Sequence, residues 1–221
     1  ADRLLVLTSP AFDFPATSLP PNVRYVGPQL DNPAWLAPWE PPAPLADDGR
    51  PLVLVSLSTT YQGQADVVRR IGAALADLPV RGLVTLGPAL RPDDIELPPN
   101  VLAAPYAPHT LVCPQADLVV THGGHGTIIT ALRFGVPVVC LPMGRDQADN
   151  AARVIWHGAG LRCSSRAHIT TLRRTIRQAL EDPRFRAGAR RIAEDIASHN
   201  AASEAIQEVE ALAGLQLESA V

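Results

Sequence analysis

The chain has 221 residues, 47% of them hydrophobic, and 22 acidic against 19 basic side chains give a net charge of -3. That size suits one large α/β domain or two small ones. The absence of a basic run argues against nucleic acid as the main partner, and no apolar run approaches the roughly eighteen residues of a transmembrane helix.

The start, Ala1-Asp2-Arg3-Leu4-Leu5, has no basic region followed by an apolar core, so no signal peptide is expected. The missing initiator Met points to a processed chain or an excised fragment. Leu4–Leu7 reads as a strand, far from the next one. Seven prolines from Pro28 to Pro51 exclude a helix or an inner strand there. This stretch reads as an extended linker with Trp35 and Trp39 on its surface, and it places a domain junction near residue 50. Residues 51–221 then form a domain, and residues 1–50 read as the end of a preceding one together with the linker.

From Pro51 the pattern becomes regular. Leu52–Leu57 is continuously apolar, as a strand covered on both faces would be. Val68, Ile71, Leu75 and Leu78 recur at helical spacing. Strands are then predicted at Leu83–Leu86, Val101–Ala104, Asp117–Val120, Val136–Leu141 and Gly158–Arg162. Helices are predicted at Leu111–Ala116, Ile128–Phe134, Gln147–His157, Ile169–Leu180, Phe185–Ala197 and Ala201–Ala213. Alternation of this kind predicts a doubly wound parallel sheet of about six strands, a Rossmann-like unit. Cys113, Cys140 and Cys163 have no metal-binding spacing and read as buried thiols in a reducing cytoplasm.

Thr121-His122-Gly123-Gly124-His125-Gly126-Thr127 joins a predicted strand to a predicted helix. A glycine-rich turn there uncovers backbone N–H groups at the positive end of the helix dipole and favours an anion. His122 can add a side-chain donor and Thr127 a hydroxyl. The other reading is a tight turn with a core histidine. Ligands of such sheets bind outside the carboxyl ends of the strands. That rule gathers Ser58-Thr59-Thr60, Gly87-Pro88, Tyr106, His122–Thr127 and Gly144–Gln147 at one edge.

A dinucleotide fingerprint fails, because Ile129 stands where the third glycine belongs and Asp146 lies beyond the strand end. There is no Walker A sequence and no nucleophile elbow.

Tyr106-Ala107-Pro108-His109, Ala116–Thr127, Gly135-Val136-Pro137 and Asp146-Gln147 together resemble the signature block of glycosyltransferase family 1, in its bacterial natural-product branch. The likeness extends from Asn22-Val23-Arg24-Tyr25-Val26-Gly27-Pro28 onward. It implies the GT-B fold, two Rossmann-like domains facing a cleft, with this chain the C-terminal, donor-binding half. It implies a donor diphosphate held by His122 through a charge-assisted bond, with the backbone of Gly123, Gly124 and Gly126, the Thr127 hydroxyl, and Ser58 and Thr59 beside them. Tyr106 would stack on the nucleobase near Ala107 and His109. Asp146 and Gln147 would hold sugar hydroxyls, and either can also serve the start of the helix that follows.

Three positions depart from the family pattern. His109 replaces a Gln, His125 stands where Trp or Ala is common, and Thr130 replaces an acidic residue that holds both ribose hydroxyls. The last favours a thymidine over a uridine diphosphate sugar. His157, His168 and His199 read as solvated.

The resemblance implies inverting transfer of the sugar to a small natural-product acceptor, with no metal or other cofactor. The catalytic base would lie in a missing N-terminal domain, and the isolated chain would self-associate. A non-catalytic nucleotide-sugar binding module and a nucleotide-sugar epimerase remain as alternatives.

Overall fold

The structure, a computed structural model, describes residues 2–30, 39–57, 63–88 and 90–214. Its centre is a fully parallel sheet built from β3 (Leu52–Ser56), β4 (Arg81–Thr85), β5 (Val101–Ala104), β6 (Leu118–Thr121), β7 (Val138–Cys140) and β8 (Gly160–Arg162). The strands lie in the order β5-β4-β3-β6-β7-β8. A shorter pair lies apart, β1 (Leu4–Val6) parallel to β2 (Val23–Tyr25).

Every residue of β3 is buried, which explains its lack of alternation: both faces are covered. On one face Leu52, Leu54, Val119 and Val138 meet α3 (His125–Arg133), α4 (Gln147–Trp156) and α6 (Pro183–Ser198). On the other, Val53, Val55, Val84 and Val120 meet α1 (Ala65–Ala76) and α5 (Ile169–Glu181). Each such aliphatic side chain contributes about 1.5–3 kcal/mol on burial. A one-turn helix, α2 (His109–Val112), and α7 (Ala201–Ala213) complete the described helices, apart from short 3-10 turns.

The helix boundaries moved where capping chemistry decides them. Asp182 accepts from the Arg184 amide and Pro183 opens α6 two residues earlier than the apolar pattern predicts. The strand at Val136–Leu141 shortens to Val138–Cys140, and the helix at Leu111–Ala116 becomes α2 plus a 3-10 turn. β2 was not anticipated, since three residues are too few to show a period.

The stretch ahead of β3 is packed more closely than a linker. Phe12 and Leu45 are each 1% exposed within the core. Trp39, expected on the surface, is half-buried against it, while Trp35 lies outside the described residues. Buried Arg81 donates to the carbonyls of Leu45 and Arg50 and pairs with Asp47, pinning this stretch to β4. The three cysteines are buried and free, and burial pushes the thiols of Cys113 and Cys140 up to about 12. Among the described residues no helix is long and apolar enough to cross a membrane.

Candidate functional site

The strand order reverses between β3 and β6, parallel neighbours whose Ser56 and Thr121 are register partners at their carboxyl ends. A crevice opens at such a switch point. The glycine turn leaves β6 there and leads into α3. Gly123 has φ +98°, and a Cβ on it would sit 3.0 Å from the Gln147 carbonyl oxygen. A Cβ on Gly124 would come within 2.6 Å of His122 Nε2, so the missing side chain lets the imidazole lie across the turn. Gly126 differs: a Cβ there meets nothing within 4 Å.

α3 begins at His125, three residues before the predicted start, with Gly124 as its N-cap. Gly126 and Thr127 therefore lie in the first helical turn. The Ile128 amide bonds the Gly124 carbonyl at 3.1 Å, the first bond of the helical ladder. The amides of His125, Gly126 and Thr127 precede that ladder, and among the described residues no side chain caps them. Three donors stand at the positive end of the helix dipole, and the space beside the Gly126 Cα is open, which suits an anion.

His122 is half-buried, with Nδ1 3.3 Å from the Thr121 hydroxyl. Burial is the largest influence on its ring and holds it below the usual histidine range. Ser56 backbone and Asp146 pull the other way, and Arg145 adds to the lowering. The ligand-free ring is therefore held toward its neutral form, whose N–H can still donate to an anion. Thr127 is half-buried in the same turn. Thr130 is 8% exposed and donates its hydroxyl to the Gly126 carbonyl at 2.8 Å. Its hydroxyl keeps only acceptor capacity for anything else.

The loop after β7 is built around Gln147. This side chain is 2% exposed, and its carbonyl accepts the amides of Met143 (2.7 Å) and Gly144 (3.1 Å). Its first duty is to shape the loop. Asp146 occupies the N-cap position of α4, yet its carboxylate does not cap the helix. It is exposed and accepts from Asn150 Nδ2 at 2.8 Å. Asn150 also donates to the Gly123 carbonyl at 3.1 Å, and it is buried. This one amide ties the glycine turn to Asp146. Sequence reasoning missed it, although an Asn four residues after an Asp on a helix is a readable pairing. It also missed Arg145, the only non-glycine residue with positive φ (55°) among the described residues. Backbone of that kind costs about 1–2 kcal/mol and is found at constrained loops.

Tyr106 follows β5 and is 68% exposed, available as a stacking surface. Ala107 points its methyl into the core, so only its backbone is available to a ligand. His109 opens α2 with Nε2 3.4 Å from the Thr85 hydroxyl at the end of β4, and burial lowers its basicity. Gly87 turns with φ +65° after β4. Ser58 and Thr59 lie outside the described residues.

The three histidines expected in solvent have structural partners. His157 donates to the Asp13 carbonyl, His199 sits between Asp195 and Glu204, and exposed His168 caps α5 by accepting from the Thr170 amide. Among the described residues, no three His, Cys, Asp or Glu side chains gather as a metal would require.

Comparison with known proteins shows the family of the chain. The family profile described as "Erythromycin biosynthesis protein CIII-like, C-terminal domain" matches residues 69–212. The chain is 34% identical over 220 residues to 4'-demethylrebeccamycin synthase of Lentzea aerocolonigenes, covering 96% of this chain and 50% of that protein. The calicheamicin glycosyltransferase CalG4 shares the fold with a TM-score of 0.83 and 30% identity, over 96% of this chain and 52% of that one. The glycosyltransferase VinC, solved in complex with DTDP, superposes with a TM-score of 0.76 at 25% identity, over 96% of this chain and 52% of its own. The chain spans about half the length of the curated relatives it matches.

Proposed function

Because the chain belongs to the family of erythromycin biosynthesis protein CIII-like C-terminal domains, within glycosyltransferase family 1, we propose that it is the donor-binding half of a sugar-transferring enzyme. The observation that carries this reading is the uncapped start of α3 at the switch point, open at Gly126 and flanked by His122. A nucleotide diphosphate sugar sets its diphosphate on the amides of Gly126 and Thr127. His122 supplies a further donor, and Tyr106 stacks on the base. Asp146 faces the sugar hydroxyls as an acceptor, and Gln147 holds the loop that presents it.

Transfer to a small natural-product acceptor releases a nucleotide diphosphate. The fixed donors of α3 stabilise the charge that develops on that leaving group. Inversion at the anomeric carbon needs a base on the opposite side, which this reading assigns to the preceding half of the polypeptide. The carbonyl-bound Thr130 offers no carboxylate to the ribose, so loss of a 2′-hydroxyl costs little. That supports a thymidine diphosphate sugar as donor, in line with the DTDP bound to VinC.

Isothermal calorimetry with thymidine and uridine diphosphates tests the reading. Both should bind, thymidine diphosphate the more tightly. His122→Ala should weaken binding about 10- to 100-fold, the worth of a hydrogen bond to a charged group. Equal binding by parent and variant would remove His122 from the site. A clear uridine preference would overturn the choice of nucleotide.

A further inference from the structure

The segment Thr8–Phe14 lies along the side of the donor site, and its contacts reach both helices that bear ligand-facing residues. Thr8 and Phe12 are buried. His125 Nε2 lies 3.0 Å from the Thr8 hydroxyl, and the His125 ring stands beside Phe12 with centroids 6.2 Å apart. Farther along, Asp13 accepts from Arg153 of α4 and from the Tyr25 hydroxyl, and its carbonyl accepts from His157. Ser9 donates to Asp195 of α6. His125 is thus two-sided. Its amide is one of the uncapped donors at the start of α3, and its side chain meets Thr8 and Phe12 of the segment. Burial lowers the basicity of the ring against the pull of Asp146 and Asp13, with Arg153 reinforcing burial, so the link to Thr8 is a neutral hydrogen bond.

We infer that His125 is a positioning residue that couples occupancy of the donor site to the Thr8–Phe14 segment, so that a bound diphosphate holds that segment more tightly. This rests on the donor-site reading above. An anion on the α3 amides fixes the His125 backbone in the first turn. The ring then holds Thr8 and Phe12 in one arrangement. Linkage is reciprocal, so loosening the segment weakens the diphosphate by no more than the factor by which the diphosphate protects the segment.

Hydrogen exchange in the 221-residue chain, with and without saturating thymidine diphosphate, reads this directly. The reporters are the amides of Phe12 and Asp13, which bond within the segment's own 3-10 turn. In the parent, the ligand should slow their exchange at least about fivefold, the lower end of ordinary coupling between sites. His125→Ala should bind the ligand with no more than that same loss yet show no ligand-dependent protection at Phe12 and Asp13. Thr8→Val should behave alike. His125→Gln, which can place an amide nitrogen near Nε2, should restore protection. A merely structural role would change exchange equally with and without ligand. The inference is overturned if the diphosphate binds the parent without altering these amides, or if His125→Ala still transmits protection. A parent that binds no diphosphate overturns the donor-site reading itself.

Discussion

At the residue scale, the histidines carry the chemistry that pH can reveal. His109, His122 and His125 all sit below the ordinary range, with burial the largest cause in each. The unfolded chain protonates such rings near pH 6.5, and the folded chain only at lower pH. Over that interval the unfolded state binds more protons, so stability is held above about pH 6.5 and lost as the pH falls through it. Thermal melts of the free chain should show Tm dropping between about pH 7.5 and 5.5, and triple replacement of these rings by Gln should flatten that drop. For the ligand the sign reverses at His122. A diphosphate beside the ring favours its protonated form, so the affinity ratio of parent to His122→Ala should grow as pH falls from about 8 to 6.5. A constant ratio across that range would mean that His122 binds without taking up a proton. The place of His122 before the glycine turn was legible in the sequence. Its protonation was not, because the burial of the ring and the opposing pull of the Ser56 backbone and Asp146 come from elements distant in the sequence.

At the element scale, the strand–turn–helix unit around β6 and α3 makes the three glycines do different things. Gly126→Ala adds a methyl in open space on a helical turn, and Ala is the better helix former by about 0.8–1 kcal/mol. The variant should melt no lower than the parent and yet bind diphosphate at least about tenfold more weakly, since the methyl stands where the anion would approach. Gly124→Ala should instead disturb folding, because its methyl drives into the His122 ring. Should Gly126→Ala bind as the parent does, the anion does not rest on this turn. The alternation of strands and helices from Leu52 onward was readable because buried parallel strands are continuously apolar and the helices keep their 3.6-residue period. The true start of α3 was not readable, because its first turn contains His125, Gly126 and Thr127 and lacks an apolar stripe. Nor was the role of Gln147: its side-chain carbonyl is turned back to the Met143 and Gly144 amides by a loop that only the fold defines.

At the scale of the whole molecule, the chain buries one core but leaves apolar side chains in water at its amino-terminal strand and last helix. Leu4 and Leu7 are 53% and 49% exposed, and Ile206, Val209 and Leu212 of α7 are each about half exposed. Arg3 and Arg24 both reach Glu208, which draws β1, β2 and α7 together. A two-stranded sheet with three residues per strand is marginal by itself, so this region needs further cover. The isolated chain should therefore be folded, self-associate at high concentration by light scattering, and transfer no sugar. Transfer by this chain alone would contradict the assignment of the base to the preceding half. The proline-rich stretch looked like a free linker in the sequence because proline content reports only what a segment cannot do. Its anchoring by Arg81 and Leu45 is tertiary. All of these readings meet at the open start of α3, and a crystal structure of the chain soaked with thymidine diphosphate examines it most directly. The account predicts β-phosphate oxygens within about 3.2 Å of the Gly126 and Thr127 amide nitrogens, with His122 at the same phosphate and the base against Tyr106. A diphosphate bound elsewhere, or an empty α3 start at saturating ligand, would contradict it.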